Sequence, residues 1–168
     1  MGEADPVDDV SATAPSGWIA TTAASQDLLL TLPAWLEVFD NSGAIFANEV
    51  LPAREQGLQL MAEGPRTASP GPQSGQDMRI WLERKVGAPG QGQPVYRPVR
   101  LAGRAALLLE RIDRAETSNA WRIMAYAIET EAGIAFLMID GPPDAWARHE
   151  DDIRLIPQLL RTGRGIQP

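Results

Sequence analysis

His149-Glu150-Asp151-Asp152 sets the chain's one histidine beside three carboxylates, a group with both nitrogen and oxygen ligands for a divalent metal. Ligands carried on one helix stand three or four positions apart, because consecutive residues point in different directions. Only His149 with Asp152 meets that spacing, and no second cluster of ligand residues stands elsewhere in the sequence. The structural alternative is that the three acids occupy an early helical turn, where negative charge complements the macrodipole, while His149 flanks an apolar stripe. Serine-hydrolase chemistry needs an exposed serine beside the histidine base, and the sequence has no G-x-S-x-G elbow. The glycines of "GAPGQGQP" lack both the G-x-G-x-x-G spacing and a following helix, and no G-x-x-x-x-G-K-[ST] is present to cradle phosphate. Glu129 and Glu131 fall in an expected turn, with nothing to mark them as an acid/base pair. No catalytic or metal-binding residue is assigned, and no cofactor is expected.

Binding is the better-supported chemistry. Tryptophans at 18, 35, 81, 121 and 146 could line a groove or anchor an interface, or fill the space between sheet and helices. Trp35 and Trp146 each follow a proline-bounded strand end, so a groove is expected there first. Arg97, Arg100 and Arg104 form either a small basic strip or a solvated strand face. The candidate set for a ligand or partner is Trp35, Trp146, Trp121, Tyr126 and Arg100.

The elements that must position these residues follow from period and punctuation. Segment 26–32 predicts a strand ended by Pro33, with weaker strands over 17–23 and 44–50. "GLQLMAE" (57–63) and "DMRIWLERKV" (77–86) alternate apolar with polar and predict half-buried antiparallel strands, separated by a loop over 64–75. A second loop covers 87–94. Segments 105–113, 120–130 and 133–140 predict a three-strand meander. Its middle strand is apolar on both faces and therefore interior to the sheet. After Pro142 and Pro143, Trp146, His149, Ile153, Ile156 and Leu160 step by helical spacing along one stripe. Pro157 predicts a kink or restart, and Gly163 and Gly165 end the element.

With 168 residues, 44% of them hydrophobic, the chain can build one core. The expected organisation is a flexible acidic linker over 1–16, one domain over 17–163 and a tail over 164–168. A net charge of −7 opposes sequence-independent nucleic-acid binding and attraction to anionic membrane surfaces. The longest apolar runs fall well short of the ~20 residues a membrane-spanning helix needs. The absence of cysteine excludes thiolate metal sites and disulfides. The opening "MGEADPVDDVSATAPSG" has no signal-peptide pattern. It is either a linker left by the trimming of a secretion or lipoprotein signal, with a lipid anchor upstream, or an ordinary frayed terminus.

Three stretches together carry a family likeness: "LLLTLPAW" (28–35), "VRLAGRAALLLERID" (99–113) and "AYAIETEAGIAFLMIDGPPDAWARHEDDIRLIPQLLRT" (125–162). In element order and small motifs the chain resembles the Mog1/PsbP-like superfamily, which includes bacterial extracytoplasmic lipoproteins. The resemblance implies an α+β fold, a central antiparallel sheet flanked by helices in an α/β/α sandwich, with the C-terminal helix packed on the sheet. It also implies a non-catalytic, extracytoplasmic and envelope-tethered binding domain for a protein partner or a small apolar ligand. The alternatives are a cytoplasmic secretion-type chaperone or adaptor and, third, a metal-dependent hydrolase. The chain departs from the photosynthetic members in lacking a lysine-rich surface, since Lys85 is its one lysine.

Overall fold

The computed structural model describes residues 13–24, 27–52, 55–65, 78–87 and 92–163. In chain order these form β1 (Ile19–Thr22), β2 (Leu28–Leu32), β3 (Leu36–Asp40), β4 (Ile45–Glu49) and β5 (Gln59–Glu63), followed by α1 (Met78–Val86). Then come β6 (Val95–Leu101), β7 (Arg104–Asp113), β8 (Trp121–Thr130), β9 (Gly133–Gly141), α2 (Pro143–Leu155), a 3-10 turn (Ile156–Leu159) and β10 (Arg161–Thr162). A seven-stranded sheet runs in the order β3-β4-β5-β9-β8-β7-β6, and a three-stranded sheet in the order β1-β2-β10. Every pairing is antiparallel.

The large sheet is covered on both faces, which is why β8 is apolar on both. Met124, Tyr126 and Ile128 point into the main core, with Leu28 and Leu30 of the small sheet, Ile153 of α2 and Ile156 of the 3-10 turn. Ala125 and Ala127 point the other way and meet Trp81 and Leu82 of α1 across Leu109 and Phe136. Fully burying each of the Leu, Ile, Phe and Met side chains among these contributes roughly 1.5–3 kcal/mol.

One expected element changes type. Segment 77–86 predicts a strand, but its described part is helix α1. Ten residues hold both periods: Met78, Ile80 and Leu82 alternate, while Met78, Trp81, Leu82 and Val86 make a helical stripe. The helix stripe wins because it caps the apolar face of β7, β8 and β9, and Ile80 is left 46% exposed. Trp81 meets Phe136 edge-on at 6.2 Å, and Lys85 lies 5.3 Å above the same ring while pairing with Glu63.

Pro33 does end β2, and the chain turns there, with the Leu36 N–H donating to the Pro33 carbonyl at 3.1 Å, to begin β3 in the other sheet. Between β6 and β7, Ala102 (φ 51°) and Gly103 (φ 81°) make a two-residue hairpin turn with both central residues left-handed. The stripe expected after Pro143 is present: Trp146, Ile153, Ile156 and Leu160 are buried, and the restart at Pro157 is the 3-10 turn. Residues 1–12 of the expected linker, the tail over 164–168 with Gly165, and most of the two expected loops lie outside the described residues.

Candidate functional site

Helix α2 carries the one histidine into a polar knot against β3 and β4. The helix leaves regular geometry at His149 (φ −130°, ψ 21°), and the imidazole stacks on the Trp35 indole, with centroids 3.7 Å apart and planes 12° apart. His149 Nε2 donates to Glu49 Oε2 at 2.8 Å, so the proton sits on that nitrogen whether the ring is neutral or charged. Trp35 Nε1 donates to Asp152 Oδ2 at 2.8 Å. Glu49 stands at the end of β4 with its side chain 2% exposed. It accepts from the Leu58 N–H at 2.9 Å and pairs with Arg148 at 3.3 Å. Burial alone would raise the Glu49 pKa. The Leu58 N–H, His149 and Arg148 outweigh burial and hold the carboxyl below its ordinary value.

The two residues with metal-compatible spacing are thus spent on other partners, His149 on Glu49 and Asp152 on Trp35. Among the described residues no three His, Asp or Glu side chains gather to hold a metal. The arrangement clamps α2 to the sheet.

Trp146 lies one turn earlier on α2, 3% exposed, with Nε1 donating to the Arg122 carbonyl at 3.2 Å. The Arg122 guanidinium lies 4.5 Å over its ring. The register of β6, β7 and β8 places Ile112 directly opposite Arg122, and Val95 directly opposite Glu110. Counting by twos from Leu108 and Val99, which are in the main core, all four fall on the α2 side of the sheet. The cover ends before this corner, and Val95 and Ile112 are 63% and 47% exposed.

The opposite face holds a second polar group at the same end of the sheet. Trp121 Nε1 donates to Asp140 Oδ2 at 2.7 Å. Burial raises the Asp140 pKa, and the Trp121 hydrogen bond offsets only part of that. On β7, Arg111 and Asp113 are buried together as an ion pair at 3.0 Å. The Gly92 N–H donates to Asp113 at 3.3 Å. A Cβ on Gly92 would fall 2.2 Å from the Ile112 carbonyl, so glycine is needed for this close approach.

The five candidate residues therefore separate. Trp35 and Trp146 share α2 as their support, while Trp121 serves the far face. Tyr126 is buried, with its hydroxyl 3.4 Å from Met124 Sδ. Arg100 is exposed at the hairpin and donates to the Gly103 carbonyl at 2.9 Å. Arg104 is half-buried, and its pKa is lowered by burial and by the nearby Arg161 charge. Glu49, Arg122, Val95 and Ile112 escape sequence reasoning. The available signal was positional: Glu49 and Arg122 are charges at strand ends on the inward-facing register of otherwise apolar strands.

No protein-family model matches the chain, and no curated protein matches it in sequence. Solved structures do match. LpqN of Mycobacterium tuberculosis, described as involved in cell envelope biogenesis, aligns with a TM-score of 0.54 at 13% identity, covering 87% of this chain and 91% of its own. Cyanobacterial PsbP (CyanoP) of Synechocystis sp. PCC 6803 aligns with a TM-score of 0.53 at 11% identity, covering 95% of this chain and all of its own. The chain has the Mog1/PsbP-like α+β fold. The C-terminal helix packs on the sheet, and no described helix is long and apolar enough to cross a membrane.

Proposed function

We propose that this chain is a non-catalytic, extracytoplasmic binding domain, tethered to the cell envelope through residues 1–16, that engages a protein partner or a small apolar ligand. The observation that carries the binding half is the uncovered corner beside Trp146. There, two large aliphatic side chains stand exposed next to an arginine whose guanidinium carbon lies 4.5 Å over the Trp146 ring, the composition of an interface rather than of an idle surface. The engagement of His149 by Trp35 and Glu49 supports a structural role for the one histidine. The compartment rests on fold likeness to an envelope protein, together with the acidic N-terminal stretch.

Residues 1–168 hold no cysteine, so a thiol introduced among them marks this domain. A single thiol introduced as Ser118→Cys, at an exposed turn position, is treated with a membrane-impermeant maleimide in intact cells that express the full gene product from its own locus. Labelling before lysis is expected, and labelling only after lysis overturns the compartment. Photo-crosslinking residues placed singly at Trp35, Ile80 and Ile112 test the binding half. An adduct with a protein or an apolar small molecule is expected from at least one position, and none from all three sinks it.

A further inference from the structure

The small sheet ends in an edge strand, β1, that pairs with β2 on its inner side. We propose that the outer side of β1 pairs with β1 of a second copy of this chain, antiparallel about a two-fold axis at Ala20, so that two small sheets join into one. This goes beyond the binding-domain reading above and does not depend on it.

Three observations carry the proposal. The first is which backbone groups the edge leaves open. The Ala23 N–H donates to the Leu28 carbonyl at 3.1 Å, in register with Thr21 opposite Leu30 and Ile19 opposite Leu32, so these residues turn their N–H and C=O towards β2. Trp18, Ala20 and Thr22 therefore turn theirs outward. Part of this outer row is used within the chain: the Trp18 N–H donates to the Pro15 carbonyl at 3.3 Å, and the Thr22 carbonyl accepts from Asn41 Nδ2 at 3.2 Å. What is left, among the described residues, is the Trp18 carbonyl, both groups of Ala20 and the Thr22 N–H. A two-fold axis at Ala20 sets Ala20 opposite Ala20 and Thr22 opposite Trp18. The two Ala20 residues then exchange both of their bonds, and each Thr22 N–H donates to the Trp18 carbonyl of the other copy. Every open group is matched and none already used is needed, which is the self-complementarity of a two-fold interface.

The second observation is the lack of guards. Of the outer strands of the two sheets, β3 has a bulge between Val38 and Asp40 and charges at Glu37 and Asp40, β6 holds Pro98 flanked by Arg97 and Arg100, and β10 has only two residues. Bulges, charges, proline and shortness each block strand addition. Strand β1, Ile-Ala-Thr-Thr, has no charge, proline or bulge, and residues 10–26 are the chain's longest run without a charged side chain. Two copies that each carry a net charge of −7 can meet there with no like charges opposed. The third is cover. Ile19 is 67% exposed, the most exposed large apolar side chain among the described residues. In the joined sheet it lies directly opposite Thr21 of the other copy and diagonal to the other Ile19, within reach of a cross-strand contact.

The test follows the 168-residue chain by sedimentation velocity over rising concentration. A reversible dimer with a Kd of about 100 μM is expected, as suits an interface of small size. Hydrogen exchange should find the Ala20 and Thr22 amides open when dilute and protected when concentrated. Ile19→Lys, which places a charge beside the axis on a side chain already exposed, should weaken the dimer about tenfold or more. Ala20→Cys brings two thiols together at the axis, where directly opposed Cα atoms lie about 5.5 Å apart, so mild oxidation should give a disulfide-linked dimer. Ser118→Cys under the same conditions should not. A chain that stays monomeric throughout, a dimer that Ile19→Lys leaves intact, or thiols at 20 and 118 that link equally would overturn the proposal. So would protection of Ala20 and Thr22 that does not change with concentration, the mark of an edge covered by the chain's own residues 1–12.

Discussion

Two carboxylates on opposite faces of one sheet, each in a tryptophan-lined setting, have their acidity moved in opposite directions. Glu49 sits beside the Trp35–His149 stack and is surrounded by donors: a backbone N–H, an imidazole N–H and a guanidinium. Asp140 is also largely withdrawn from water but has the Trp121 indole N–H as its donor. Desolvation acts upward on both. Several donors including cationic groups overcome it at Glu49, and one neutral donor does not at Asp140. The sign of a buried acid's shift is thus set by the number and charge of its donors, and burial alone does not decide it.

The largest expected effect comes from emptying the better-supplied site. Glu49→Ala removes a buried acceptor from Leu58, His149 and Arg148 at once, and should cost about 2–4 kcal/mol in chemical denaturation, given about 1.5–3 kcal/mol for hydrogen bonds to charged groups. Retention of full stability would mean that the clamp between α2 and β4 holds nothing. Trp35→Ala, which loses both the stack on His149 and the bond to Asp152, should cost about 2 kcal/mol because this indole is half-buried rather than sealed. A double-mutant cycle between Trp35 and His149 should give a coupling of about 0.5–1.5 kcal/mol, and additive single effects would show the stack to be geometric only.

The pH dependence sharpens the contrast. For Glu49 the folded pKa is below the ordinary 4.5, so the unfolded chain binds more protons as the medium turns acidic. Its stabilisation is fully present above 4.5 and is lost as pH falls through the folded value. For Asp140 the folded pKa is above 3.8, and the slope reverses: its contribution is most favourable below 3.8 and declines as pH rises through the folded value. Denaturation curves from pH 3 to 7 for Glu49→Gln and Asp140→Asn should therefore diverge from the parent in opposite senses.

Much of this frame was legible in the sequence, for identifiable reasons. The strands β7, β8 and β9 and the α2 stripe were readable because each is long and its apolar period is unambiguous. Helix α1 was not, since its described residues fit both periods and the choice depends on the sheet face it covers. Strand β3 was hidden behind Pro33 because it holds few buried residues and pairs only at the sheet edge. For the site, Trp35 and Trp146 were visible by type and by the proline stops before them. The partners that give them meaning were not. Glu49 lies 100 residues from His149, and Arg122 lies 24 from Trp146. Side chains that far apart are brought together by the β3–β4 hairpin and by strand register, which local patterns do not encode. The exposed corner likewise follows from where the covering layer stops.

The smallest expected effects lie on the Asp140 face. Trp121→Phe keeps most of the ring but withdraws the donor, so the Asp140 pKa should rise further and stability at neutral pH should fall by about 1 kcal/mol. Asp140→Asn is gentler. The amide oxygen can still accept from the indole, and the buried charge that raises the pKa is gone, so the variant should be within about 1 kcal/mol of the parent at pH 7 and on the stable side of it. Its advantage should shrink as pH drops towards 3.8, where the parent's own carboxyl becomes neutral. A loss of more than about 2 kcal/mol would instead show that the ionised carboxylate is held by charge-assisted bonding, and that the two acids differ in degree and not in sign.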